Sequence, residues 1–164
     1  MPNHVHLVVA PDHEDSLSRF FRFVHRHDTR QINFREKWTG HLWQERFYSY
    51  VMDEAYLLSA VRYVELNPVR ARLCRLPEEW NWSSAWAHLA GKDDGVVVVK
   101  PMLERISDWS DYLSEKESKE SMDILRQHAR TGRPADSDAF IDDLEVLTGK
   151  TFKKGKPEPK QQIK

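Results

Sequence analysis

The sequence predicts an α+β protein, and three observations lead there. Residues 4–10, HVHLVVA, alternate polar and apolar at their start and stop at Pro11-Asp12, the pattern of a strand. Residues 16–36 repeat apolar side chains at helical spacing, with Leu17, Phe20, Phe21, Val24 and Ile32 on one stripe. Further helical segments then run to residue 148, so helix outweighs strand over the rest of the chain.

Each later element has its own signal. A Thr39-Gly40 break follows the first helix, and residues 41–52 read as extended. Asp53 is placed to cap a second helix through about Asn67, with Tyr56, Leu57, Ala60 and Val64 as its buried face. Pro68 ends that helix or kinks it into a turn reaching Leu73. A tryptophan-rich loop spans 77–82, and Ser83 starts a short helix ending near Gly91. The charged stretch Lys92-Asp93-Asp94-Gly95 marks a boundary. Beyond it, 108–129 reads as a polar helix, 131–134 as a turn and 137–148 as a helix stopped by Gly149. Residues 150–164, rich in Lys, Pro and Gln, are expected to be disordered. The predicted organisation is a domain over 1–91, a helical region over 92–149 and a basic tail over 150–164.

At 164 residues the chain is sized for about one domain, and its mean hydropathy of −0.71 describes a polar protein. No apolar run approaches the roughly 18 residues of a membrane span, so no membrane partner is expected. The single cysteine, Cys74, excludes an internal disulfide framework and fits a reducing, cytoplasmic setting. The formal net charge is −1, yet its distribution is uneven. Residues 16–50 hold seven Lys/Arg against three acids, and residues 149–164 hold six Lys against one Glu. Local basic stripes are what phosphate contacts need, although solvated helix faces produce the same totals.

Three groups of residues could carry chemistry. On a strand, His4 and His6 face one side, roughly 7 Å apart at Cβ, where two imidazoles can share a divalent metal. The bland alternative is a pair of surface histidines alternating with Val5, Leu7 and Val9. Asp28 falls on the apolar stripe of the first helix, beside His25, His27, Arg26 and Arg30. A carboxylate there is a ligand or acid–base group facing a cleft, or a partly exposed group paired with a neighbour. In Trp43-Gln44-Glu45-Arg46-Phe47-Tyr48 rings interleave with polar groups, which suits base stacking and phosphate binding as well as ordinary packing.

Taken in order, these blocks resemble the REP-associated tyrosine transposases, relatives of single-strand insertion-sequence transposases. The resemblance starts with Met1-Pro2-Asn3-His4-Val5-His6-Leu7-Val8-Val9, similar to that family's HUH strand. It continues through Ile32-Asn33-Phe34-Arg35-Glu36, then Gly40 to Phe47, Arg62 to Ala71, and Trp80-Asn81-Trp82-Ser83-Ser84. Thr131-Gly132-Arg133-Pro134, the helix at Phe140 and the basic tail resemble its C-terminal part.

The resemblance implies a partial ferredoxin-like HUH domain, an antiparallel sheet with helices on one face, followed by a helical extension. It implies cleavage and rejoining of single-stranded DNA at hairpin-forming repeats. His4 and His6 would hold magnesium or manganese with a third polar ligand, for which Asp28, Gln31 and Asn33 are candidates. A helix-borne tyrosine attacks phosphorus in that family, and Asp28 is read as standing at its position, which points to a degenerate site. Arg19, Arg22, Arg26, Arg30, Trp43, Gln44 and Arg46 are the candidate DNA contacts. In the family the MPNHVH block is internal, so the chain is expected to be N-terminally shortened, exposing a sheet edge that invites a homodimer. The rival readings are a non-catalytic DNA-hairpin binder and a small metal-dependent hydrolase.

Overall fold

The structure, a computed structural model, describes residues 1, 3–44, 46–116, 119–131 and 138–153. They fall into two compact units, Met1–Ser49 and Tyr50–Lys164.

The first unit is built on helix α1, Ser16–Glu36, with the bounds its periodicity predicts. Ser18 Oγ donates to the Asp15 carbonyl at 2.9 Å in the first turn, and Lys37 ends the helix in the left-handed region. At about 100° per residue, Leu17, Phe21, Val24, His25, Asp28 and Ile32 share one side of the cylinder. These residues are half-buried, whereas Arg19, Arg22, Phe23, Arg26, His27 and Arg30 are exposed. Phe20, assigned to the stripe from sequence, is also exposed, at the edge of the outer face.

Residues 40–44, 46 and 47 form a strap running back along the inner side of α1. Asn33 Nδ2 donates to the Gly40 carbonyl at 2.9 Å. The Trp43 ring stacks on His25 with centroids 4.3 Å apart, and Phe47 stacks on Phe21 at 4.3 Å. The contact order 33, 25, 21 against 40, 43, 47 makes strap and helix antiparallel.

The expected strand at 4–10 does not form, and no strand exists among the described residues. Alternation makes a segment able to pair, but a strand exists only when a second extended segment completes its hydrogen-bond ladder. The other extended candidate, 41–52, is instead folded against α1 by its aromatic rings over 43–47. Among the described residues the protein is therefore helical rather than α+β, the ferredoxin-like sheet is absent, and residues 4–10 form no sheet edge.

The second unit opens with α2, Glu54–Arg70, where Asp53 Oδ1 accepts the Tyr56 N–H at 2.8 Å as the sequence suggests. After it come a 3-10 turn, Pro77–Glu79, and α3, Ala85–Ala90, closed by Gly91 at φ 64°. The remaining helices are α4 Lys100–Leu103, α5 Trp109–Ser114, α6 Lys119–Thr131 and α7 Asp138–Thr148. The core joins α2 to the segment after Gly91: Val61, Trp109, Tyr112 and Leu113 are buried against Leu57, Leu58, Leu66, Met102, Leu103 and Ile106.

Several boundaries moved. α2 continues through Pro68 to Arg70, because in the last turn proline sacrifices a single hydrogen bond. Its buried positions are Ala60, Val61, Glu65 and Pro68, a face rotated from the expected one. The helix expected over 108–129 is two helices, α5 ending at Glu115 with extended backbone. The turn expected over 131–134 lies outside the described residues from 132 on, as does the tail from 154. Residues 152 and 153 are ordered, their N–H groups donating to Glu145 Oε1 at 2.6 and 2.9 Å.

Glu65 is fully buried and accepts three hydrogen bonds. Ser84 Oγ donates at 2.5 Å and His88 Nδ1 lies at 2.7 Å, both to Oε1, while Trp109 Nε1 donates to Oε2 at 2.9 Å. This carboxylate ties α2, α3 and α5 together at their meeting point.

Candidate nucleic-acid interface

Helix geometry decides which basic residues act together. Positions 19, 22, 26 and 30 are spaced by three or four residues, so Arg19, Arg22, Arg26 and Arg30 form one row down the outer side of α1. The row is about 16 Å long from the rise of 1.5 Å per residue. All four are exposed, and among the described residues the one ion pair in the row joins Arg19 to Asp15 Oδ2 at 3.6 Å, itself exposed. Arg19, Arg22, Phe23 and Arg26 line one shallow recess.

Aromatic rings stand in that basic face. Phe23 is 72% exposed and pairs with His27 in near-parallel stacking at 6.0 Å, and Phe34 is 88% exposed further along. Exposed rings among arginines match two needs of an unpaired nucleotide, a stacking surface for the base and cations for the phosphate. Phe23 and Phe34 were absent from the sequence-based site, and His27 entered it only as a neighbour of Asp28. A helical wheel places them beside the arginines, but apolar residues on a predicted helix are read first as core.

The other candidates are placed differently. Trp43 is half-buried, with its ring taken by His25 on the side of α1 away from the arginines. Gln44 and Arg46 are exposed on the strap. Asp28 lies half-buried on the inner side of α1, as its place on the stripe predicts. Asn33 is engaged by Gly40, and Gln31 is exposed.

His4 and His6 come together without a strand, their rings edge to face with centroids 4.9 Å apart. Burial lowers both imidazoles from their ordinary value, and the charge of His4 lowers His6 further. Lowered imidazoles are neutral at pH 7 and keep a lone pair for a metal. Asn3 Oδ1 lies 2.8 Å from His4 Nδ1, which holds the ring so that Nε2 is the ligating nitrogen. Two imidazoles are nitrogen donors, which suits manganese better than oxygen-seeking magnesium. Among the described residues, no group of three or more His, Cys, Asp or Glu is arranged to hold a metal. The pair thus fits two positions of a divalent site and no more.

The second unit holds a further set within α2 and α6. The Arg70 guanidinium lies 5.1 Å from the Tyr63 ring centroid, and a side-chain hydrogen bond that Arg126 donates to Tyr63 is the main cause of the raised Arg126 pKa. Two cations thus flank one helix-borne phenol. No helix among the described residues is long and apolar enough to cross a membrane.

No curated protein matches the chain, and no solved structure does. A family model does: the first 67 of the 164 residues, covering the histidine pair, α1, the strap and α2 as far as Asn67, match the family described as Transposase IS200 like.

Proposed function

We propose that this transposase-like protein binds single-stranded or hairpin DNA through the outer face of α1. The carrying observation is the row Arg19, Arg22, Arg26 and Arg30 with Phe23 exposed among them. Phosphates lie against the arginines and an unpaired base stacks on Phe23. The five ordered sequence blocks that resemble the REP-associated tyrosine transposases support that reading.

The test is binding of a labelled DNA hairpin with a single-stranded flank across a salt series. Affinity falls as salt rises, and removing two arginines (Arg22→Ala with Arg26→Ala) reduces the slope of log K against log salt by about 1.4–1.8. Affinity independent of salt, or unchanged in the double variant, refutes the reading.

His4 and His6 would hold a divalent ion, manganese in preference to magnesium, with water or phosphate oxygens in the other positions. Such an ion stabilises negative charge on a bound phosphate. The two residues themselves contribute neutral nitrogen donors, with Asn3 orienting one of them.

Strand cleavage is a second reading, favoured by the Tyr63 setting. Asp28 cannot replace a tyrosine, because an acyl phosphate is too labile to store a strand. Tyr63 offers a phenol on a helix within the matched segment, with Arg70 and Arg126 beside it. In that reaction the Tyr63 oxygen bonds to phosphorus, the bond to the 3′ oxygen breaks, and the phenol proton ends on that oxygen. A covalent adduct formed with manganese and lost in Tyr63→Phe supports cleavage. Hairpin binding with no adduct leaves the protein a binder alone.

A further inference from the structure

The second unit contains a recess with a different chemistry from the basic face. It is lined by Glu78, Trp80, Asn81, Ser83, Trp86 and Asp94, from the 3-10 turn, the loop after it, α3 and the stretch beyond Gly91. Its volume of about 270 Å³ admits one side-chain head group rather than a polymer.

Two features of the lining select the occupant. Among the described residues no ion pair joins a cation to either Glu78, which is half-buried, or Asp94, which is exposed. Asp94 is held ionised, since its Oδ1 accepts the Val97 and Val96 N–H groups at 2.8 and 2.9 Å, which lowers its pKa. Trp86 is 53% exposed and is joined in the lining by Trp80. A flat, positively charged group satisfies both features, stacking on indole while donating in its own plane to carboxylate. A phosphate or sugar–phosphate is repelled by the same carboxylates, so this recess is no extension of the DNA face.

We propose that the recess between Trp86, Glu78 and Asp94 is a binding site for a guanidinium group, an arginine side chain of a protein partner or of a second copy of this chain. A second copy is a real source, because α1 displays four exposed arginines.

The probe is N-acetyl-arginine amide, titrated into the full chain and read by tryptophan fluorescence and by the indole N–H resonances. Saturable binding is expected on the order of 1–10 mM, as befits one cation–π contact with exposed carboxylates. Glu78→Gln combined with Asp94→Asn weakens it about fivefold or more, and asparagine keeps the acceptor that Val96 and Val97 need. Trp86→Ala removes the fluorescence response and weakens binding. The neutral isostere N-acetyl-citrulline amide does not bind. No saturation by the arginine probe, equal binding of the citrulline compound, or an unaffected Glu78→Gln/Asp94→Asn variant each overturns the proposal.

Sedimentation then separates the sources. Salt-sensitive self-association that is lost both in the Glu78→Gln/Asp94→Asn variant and on replacing Arg22 and Arg26 identifies the second copy. A monomer that still binds the probe identifies an arginine from another protein.

Discussion

Replacing Glu65 by glutamine keeps the shape of the side chain and changes one acceptor oxygen into a donor. The Oε1 position receives both Ser84 and His88, whereas Oε2 receives Trp109 alone. The amide therefore keeps its oxygen at Oε1 and turns its NH₂ toward Trp109 Nε1, a group that can only donate. Two donors then oppose each other 2.9 Å apart in a position with no access to water. Stranding the indole N–H costs about 1–3 kcal/mol, and losing the charge-assisted character of the remaining bonds adds about 1 kcal/mol. The expected loss is about 2–4 kcal/mol, a large part of the 5–15 kcal/mol typical of a domain. Urea denaturation followed by tryptophan fluorescence measures it, with the midpoint falling and the slope unchanged. Glu65→Ala, which also opens a cavity, costs more than Glu65→Gln. If Glu65→Gln is within 0.5 kcal/mol of the parent (about the usual error), the three-bond description of this site is wrong.

Tyr112 gives a pH dependence. Burial pushes its pKa up from 10.0 to about 12, its hydroxyl donating to the Leu58 carbonyl while the Arg62 guanidinium sits 4.0 Å from its ring centroid. A raised pKa means that the stabilisation is complete below pH 10 and disappears as pH climbs from 10 toward about 12. Absorbance at about 295 nm should show one tyrosine ionising late, with unfolding, and Tyr112→Phe should remove that step. Asp28→Leu continues the half-buried stripe and should stabilise the first unit by about 0.5–1 kcal/mol, without changing manganese binding measured by calorimetry. A loss of manganese affinity in that variant would instead make Asp28 a ligand. Trp43→Ala removes the stack on His25 and should speed proteolysis within residues 38–47 by about tenfold, corresponding to about 1.4 kcal/mol of lost strap anchoring; an unchanged cleavage rate would show that the strap is held by other contacts.

What could be read from the sequence followed the range of the interactions involved. α1 was legible to the residue, because its periodicity, its start at Ser16 and its stop before the Thr39-Gly40 break are local signals. The Asp53 cap is equally local, a side chain reaching three residues along. The strand at 4–10 failed because alternation describes only one half of a pairing. Glu65 failed for a related reason: a glutamate marks the outer face of a helix unless its partners are known, and those lie 19, 23 and 44 residues further on. The face expected from apolar spacing alone held Val64, whereas the structure buries Val61 and Glu65. At the site, the arginine row was legible as composition and the role of Asp28 on the stripe as phase. The exposed Phe23 and Phe34 were not, because hydrophobicity alone does not tell a stacking surface from a core residue.

The outer face of α1 also has a thermodynamic cost in the absence of any ligand. None of the helix's 21 residues is buried, so little tertiary packing supports it. Arg19, Arg22, Arg26 and Arg30 meanwhile repel one another at helical spacing, by about 0.2–0.5 kcal/mol per neighbouring pair. A polyanion laid along the row cancels that repulsion, so binding and helix stability are coupled. Salt acts on the two in opposite directions: it screens the arginines and firms the free helix while it competes with the nucleic acid for the same charges. Helicity of the first unit should therefore rise with ionic strength over the range in which the proposed affinity for DNA falls.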